Sequence, residues 1–164
     1  MTSMLDHLIT LDPTTPMGSC LAQWERVVEG EHGALAELLT DDAVLHSPVL
    51  FRPLPGRDTV MRYLTAAAKT FVGASRESTN ATAERADGWN GRFRYVRVVV
   101  GTNDAVLEFE TTMDDSYVNG VDMIHCNDDG LIDDFKVMVR PARAVDAVKA
   151  MMLAALSDLE PPSA

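Results

Sequence analysis

Apolar residues recur at helical spacing along the first half of the chain and at strand spacing along most of the second. From Ser19, a good N-cap, Leu21, Trp24, Val27 and Val28 repeat every three or four positions up to Gly30, which predicts a first helix. Leu35, Ala36, Leu38 and Leu39 predict a second, short helix, closed by the turn Thr40-Asp41-Asp42 before the extended stretch Ala43 to Ser47. Pro48, Pro53, Pro55 and Gly56 mark an irregular loop. A third helix follows from Arg57, with Val60, Met61, Leu64, Ala67, Ala68 and Phe71 on its apolar face.

After Gly73 the period shortens. Residues 76–86 form a polar strand candidate. Phe93 to Val100 and Ala105 to Met113 are rich in β-branched and aromatic residues and are separated by Gly101-Thr102-Asn103-Asp104, which predicts a hairpin. A two-residue turn sets Arg97 opposite Glu110 and a four-residue turn sets it opposite Glu108, so an ion pair across the strands is expected either way. Two more strands, Tyr117 to Cys126 and Leu131 to Val139, flank the turn Asn127-Asp128-Asp129-Gly130. Pro141 opens a last helix through Val145, Val148, Met152 and Leu156.

Helices set apart from a run of antiparallel strands predict an α+β fold, not the alternating pattern of a doubly wound sheet. The boundaries expected are a flexible N-terminal arm over residues 1–18, where Pro13 and Pro16 fall among scattered Thr and Ser, a domain over 19–140, and a C-terminal helix and tail over 141–164.

Composition narrows the function. A chain of 164 residues with 46% hydrophobic residues builds one full core without staples. Its formal charge of −11 works against phosphate backbones, so nucleic acid is not an expected partner. No run of about 18 apolar residues and no basic start leading into an apolar stretch is present, and the expected location is the cytoplasm, away from membranes. Cys20 and Cys126 lie far apart in sequence and in no ligand-like spacing, and the histidines are dispersed, so neither a disulfide framework nor a metal site is expected. Both cysteines read as buried thiols.

The candidate chemistry centres on Asp122. In a strand, Val118, Gly120, Asp122, Ile124 and Cys126 share one face, which is small or apolar throughout apart from this acid. A carboxyl buried among hydrophobes has its pKa raised towards the range that serves proton transfer near neutral pH. The competing reading is a solvated face, or an acid that only caps backbone groups. His46 and His125 fall on the faces opposite Ser47 and Asp122, where a satisfied or exposed histidine is expected. Tyr95, Trp24, Phe71, Phe135 and Val139 are candidate walls of a pocket, and core packing explains them nearly as well. Glu108 and Glu110 are assigned to a charged outer sheet face, given the expected contact with Arg97.

Three stretches in this order carry a resemblance: Val28-Glu29-Gly30 through Leu38-Leu39-Thr40-Asp41-Asp42-Ala43; Ser47-Pro48 followed by Gly56-Arg57-Asp58-Thr59-Val60; and Val121-Asp122-Met123-Ile124-His125-Cys126-Asn127-Asp128-Asp129-Gly130-Leu131-Ile132. Over about residues 19–140 the chain resembles the nuclear transport factor 2-like superfamily, in the branch of SnoaL-like polyketide cyclases and ketosteroid isomerases. The resemblance implies a cone-shaped, curved antiparallel sheet wrapped by N-terminal helices around one pocket, no cofactor, and a homodimer through the outer sheet face. It sets Asp122 where the isomerases carry a buried, protonated Asp and near the acid/base Asp of the cyclases. It also sets Ser47 at the place of the isomerase general base, and Gln23 or Trp24 near that of the isomerase tyrosine. Ser47 has no useful basicity and neither Gln23 nor Trp24 supplies a phenol, so the isomerase set is incomplete here.

Two functions from different classes follow. One is a cofactor-independent, metal-free acid/base enzyme of isomerase, cyclase or dehydratase type, acting on a small apolar carbonyl compound, with Asp122 as the catalytic group and Trp24, Gln23, Ser47, Phe71, Tyr95, Phe135 and Val139 lining the pocket. The other is a ligand-binding or dimeric structural module of the same shape, without chemistry.

Overall fold

The computed structural model describes residues 4–73, 88–114 and 116–158. Helix α1 (Pro16–Val28) is followed by a single 3-10 turn (His32–Ala34) and the one-turn helix α2 (Leu35–Leu38). Strand β1 (Leu39–His46), the two-residue β2 (Leu54–Pro55) and helix α3 (Arg57–Ala68) come next, and α3 runs on into a π-type turn (Lys69–Gly73). Strands β3 (Arg94–Val100), β4 (Asp104–Met113), β5 (Ser116–Cys126) and β6 (Ile132–Arg140) lead to the last helix, α4 (Ala142–Asp158). The strand expected over 76–86 lies outside the described residues.

The six strands form one sheet in the order β2-β1-β6-β5-β4-β3. Its pairs are antiparallel except for one: β1 runs parallel to β6, so the sheet is mixed and not wholly antiparallel as expected. The parallel step has a topological cause. The strands β3 to β6 follow one another as a meander, whereas β1 reaches the free edge of β6 from the far end of the chain, past α3 and the meander itself. Val100 pairs with Ala105 across the β3–β4 hairpin and the Gly101 N–H donates to the Asp104 carbonyl at 2.7 Å, so Arg97 stands opposite Glu108 and pairs with it at 3.4 Å, one of the two expected partners.

Helix α1 begins three residues earlier than Ser19. The Thr15 side chain accepts from the Gly18 N–H at 3.1 Å and Pro16 occupies the first turn, where its missing N–H costs nothing. The residues before the helix do not stand apart from the core as an arm. Leu5 is fully buried, and its N–H donates to the buried Glu25 carboxylate on α1 at 2.6 Å. The loop-like composition of this segment hides a few apolar residues, Met4, Leu5, Leu8, Ile9 and Leu11, that pack onto α1 and its neighbours. At the other end α4 belongs to the same core, through buried Ala144, Val148 and Met152.

Cys20 on α1 and Cys126 at the end of β5 are both buried free thiols, and they meet side chain to side chain. Burial pushes both thiols up. No helix among the described residues is long and apolar enough to cross a membrane.

The outer sheet face is polar and cross-braced. Arg94 pairs with Glu110 at 3.0 Å, the Tyr117 hydroxyl donates to Glu110 at 2.8 Å, and the Asn119 amide donates to Glu108 at 3.1 Å. Glu108 and Glu110 are thus committed to partners away from the core side of the sheet.

Candidate active site

A β-bulge decides what the core side of the sheet contains. Tyr95 stands opposite Phe109, yet Arg97 stands opposite Glu108, so Val96 is the extra residue of β3. Strict alternation would put Tyr95 and Arg97 on the same face. The bulge sends Arg97 outward to its carboxylate and lets Tyr95 turn inward, where it is 1% exposed.

Asp122 also points inward, from the middle of β5, between Leu107 on β4 and Val137 on β6. The Tyr95 hydroxyl donates to Asp122 Oδ2 at 2.9 Å, and the Trp24 indole Nε1–H donates to the Tyr95 oxygen, also at 2.9 Å. This chain has a fixed direction. An indole N–H only donates, and a phenol has a single proton, so the hydroxyl that accepts from Trp24 gives its own proton to Asp122. Oδ2 is held as an acceptor, and a proton carried by Asp122 belongs on Oδ1.

Burial raises the Asp122 pKa from its ordinary value of 3.8 to about 7, against the opposing effect of the Tyr95 hydrogen bond, which favours the carboxylate. Burial, followed by the neighbouring carboxylate, raises Tyr95 well above the usual phenol range, so the phenol stays a donor. One consequence is testable. Tyr95→Phe removes the bond that favours the charged form, and the Asp122 carboxyl should then titrate above about 7, as followed by carbon-13 NMR of its side chain. A lower value would mean that the hydroxyl is not bonded to the carboxylate.

Beside Asp122 lies a cavity of about 50 Å³. Helix α1 contributes Trp24 and Val28, α3 and its π-type extension contribute Leu64, Ala67, Ala68, Phe71 and Val72, and the sheet contributes Phe93, Tyr95, Phe109, Asp122, Phe135 and Val137. Among these residues only Trp24, Tyr95 and Asp122 carry polar side-chain atoms, and all three are joined in the chain just described. Ring contacts stiffen the walls: Trp24 leans on Phe135 with centroids 4.9 Å apart, and Phe109 meets both Phe71 and Phe93 at 5.4 Å.

Of the residues expected around the pocket, Trp24, Phe71, Tyr95, Phe135 and Asp122 border this cavity. Three do not. Ser47 lines two neighbouring cavities beyond Leu64 and Phe71, because β1 lies on the far side of β6 from Asp122. Gln23 is half-buried, one step round α1 from Trp24, and a step of one residue on a helix turns a side chain by about 100° away from the site. Val139 shares its face with Val137 but stands one pleat further along β6, next to the cis Arg140–Pro141 bond. Phe93, Phe109 and Val137 went unnoticed in the sequence as site residues. The signal for Phe109 was its inward phase with Leu107 and Thr111 on β4.

His46 and His125 are turned away from the cavity. His46 meets Asp134 at 2.8 Å and His125 meets Asp133, and the bond to Asp133 raises the His125 pKa. Among the described residues no group of three or more His, Cys, Asp or Glu could hold a metal ion.

No family model matches the sequence, and no curated protein matches it by sequence. Solved structures do match. A steroid delta-isomerase from Pseudomonas aeruginosa superposes with a TM-score of 0.74 at 27% identity, over 92% of this chain and 97% of that one. An uncharacterised protein with a cystatin-like fold from Silicibacter pomeroyi matches with a TM-score of 0.66 at 29% identity, over 82% of this chain and 83% of that one. An NTF2-like protein of unknown function from Mesorhizobium loti matches with a TM-score of 0.59 at 19% identity, over 82% of this chain and 98% of that one, a likeness of fold alone.

Proposed function

We propose that this chain, whose fold is like that of a steroid delta-isomerase and of NTF2-like proteins, is a cofactor-independent acid/base catalyst of proton transfer next to a carbonyl group. The observation that carries this reading is the Asp122 carboxyl, buried against an apolar cavity and bonded to Tyr95, where burial pushes its pKa up to about 7. A group with that pKa is half ionised near neutral pH and can both take and return a proton.

Among the described residues the chamber contains one such group. Ser47, which falls where the isomerases have their base, is in the neighbouring cavity and has no basicity to offer. The chemistry open to a single carboxyl is a transfer in which the same group removes a proton from a carbon beside the carbonyl and delivers it back, as in enolisation or the shift of a double bond. Tyr95 is a positioning residue: its bond holds Oδ2 and leaves Oδ1 for the substrate. Trp24 orients Tyr95 in turn. The steroid delta-isomerase likeness supports proton transfer of this kind, while the incomplete isomerase set argues for a substrate other than a steroid.

Deuterium exchange tests the reading without knowledge of the natural substrate. In heavy water the protein should speed deuterium uptake beside the carbonyl of a simple ketone such as butanone. The rate should rise with pH through about 7 as Asp122 ionises, and Asp122→Asn should lower it by roughly 10²–10⁴-fold, the usual size of a general-base contribution. Exchange that is absent, or equal in wild type and Asp122→Asn, would leave a binding module without chemistry.

A further inference from the structure

Two more cavities continue the line of the Asp122 chamber. A second, of about 20 Å³, shares Leu64, Ala67, Phe71 and Val137 with it as a common wall. A third, of about 70 Å³, shares Ser47, Tyr63 and Met152 with the second, and its outer wall is formed by Leu50, Lys149, Leu153 and Leu156. The partitions consist of side chains. Met152, unbranched and with several rotatable bonds, is suited to swing aside.

The outer wall of this series is mostly apolar, with Lys149 its one charged residue. Of the large exposed hydrophobic side chains among the described residues, two line this third cavity: Leu50 at 43% and Leu153 at 59% exposure, the latter one helical turn from Lys149. Such residues are expensive to leave in water unless they meet something apolar.

Size decides what fits. An apolar cavity of about 150 Å³ takes up a benzene ring, and each chamber has less than half of that. A fused ring system would have to break the ring contacts among Phe71, Phe93 and Phe109. An alkyl chain needs only the partitions to turn. We propose that the three chambers form one channel for an unbranched, chain-bearing ketone, with its carbonyl at Asp122 and its tail running past Phe71 and Met152 to the mouth between Leu50 and Leu153.

This rests on the reading of Asp122 as the group that meets a carbonyl, and the test separates the two. Affinities are measured for straight-chain methyl ketones from butanone to methyl nonyl ketone, with the Asp122 side-chain carbon shift as a reporter of the head group. Each added methylene should tighten binding by about fourfold until the tail reaches the mouth, the gain expected for a buried CH₂. Every ketone should perturb Asp122. Met152→Trp, which fills the second partition, should flatten the gain for the longer ketones and leave butanone unchanged, and Val148→Phe gives the same comparison at the second chamber should Met152→Trp fail to fold. If butanone perturbs Asp122 but longer tails add nothing, the channel is wrong and the site reading stands. If long ketones bind while Asp122 stays silent, the tail occupies another surface and the channel is equally wrong. If no ketone of any length binds, both fall together.

Discussion

Asp122→Asn should make the protein more stable than wild type at pH 8 and nearly equal to it at about pH 4. The unfolded chain exposes an ordinary carboxyl at 3.8, whereas the folded protein holds it at about 7. Between these values the folded state binds more protons than the unfolded state, so the stability contributed by this group falls as pH rises. The cost is absent below the unfolded pKa and complete above the folded one. From 3.8 to about 7 is about 3 units, and at about 1.4 kcal/mol per unit the charged carboxylate costs on the order of 4 kcal/mol.

Asn has no charge to bury, and its side-chain oxygen can still accept from Tyr95. At about 2–4 °C per kcal/mol for a chain of this size, the variant should melt roughly 10 °C higher at pH 8. His125 also loses stabilisation as pH rises, because its pKa is raised by Asp133. It is present in both proteins, and the difference between them removes it. Thermal melts of the two proteins across pH 4 to 8 decide the matter. A difference that does not change with pH would mean an ordinary, solvated carboxyl and would remove the basis for catalysis. The gain in stability and the loss of exchange activity should come from the same substitution, as expected where a site is held in a costly state for function.

How far this site could be read in the sequence differs residue by residue. The inward phase of Asp122 followed from the two-residue period of β5, because a face of Val118, Gly120, Ile124 and Cys126 has nowhere to go but the core. The order of helices and meander followed from the change of period after Gly73. The position of Tyr95 did not follow from period, since alternation with Arg97 would have turned it outward. Its inward turn depends on the bulge at Val96, which sets Arg94 and Arg97, three positions apart, on the same outer face where strict alternation would separate them. Alternation along β6 sets Phe135, Val137 and Val139 on one face but says nothing about where along the strand a cavity begins, so Val139 was expected at the pocket and Val137 was not. Ser47 shows the same limit on a larger scale. Its distance from Asp122 is set by the parallel pairing of β1 with β6, a contact between distant parts of the chain. The packing of Leu5 beneath α1 was concealed by the prolines and threonines around it.

Gly120→Ala should be the most damaging single-methyl change on the inner sheet face. Gly120 sits on β5 one pleat from Asp122, between Phe109 on β4 and Val139 on β6. The Phe109 ring lies over it in the space a side chain would take. A Cβ there would stand 2.4 Å from Phe109 Cζ and 2.7 Å from the Met138 carbonyl oxygen. The ring can move only towards Phe93, Phe71 and the cavity they share, and the Met138 carbonyl is held in the β5–β6 ladder. Overpacking of this kind costs about 1–3 kcal/mol, and a clash with backbone puts the cost at the upper end. Chemical denaturation measures it, and a loss below about 0.5 kcal/mol, the scale of an ordinary surface substitution, would contradict the packing described here. Phe109→Leu in the same chain should recover part of the loss, since the two sites are in contact and their effects should not add. Recovery should remain incomplete because the Met138 oxygen is untouched by that second change. The displaced ring also narrows the Asp122 chamber, so Gly120→Ala should weaken ketone binding and slow deuterium exchange while leaving the Asp122 carboxyl in place.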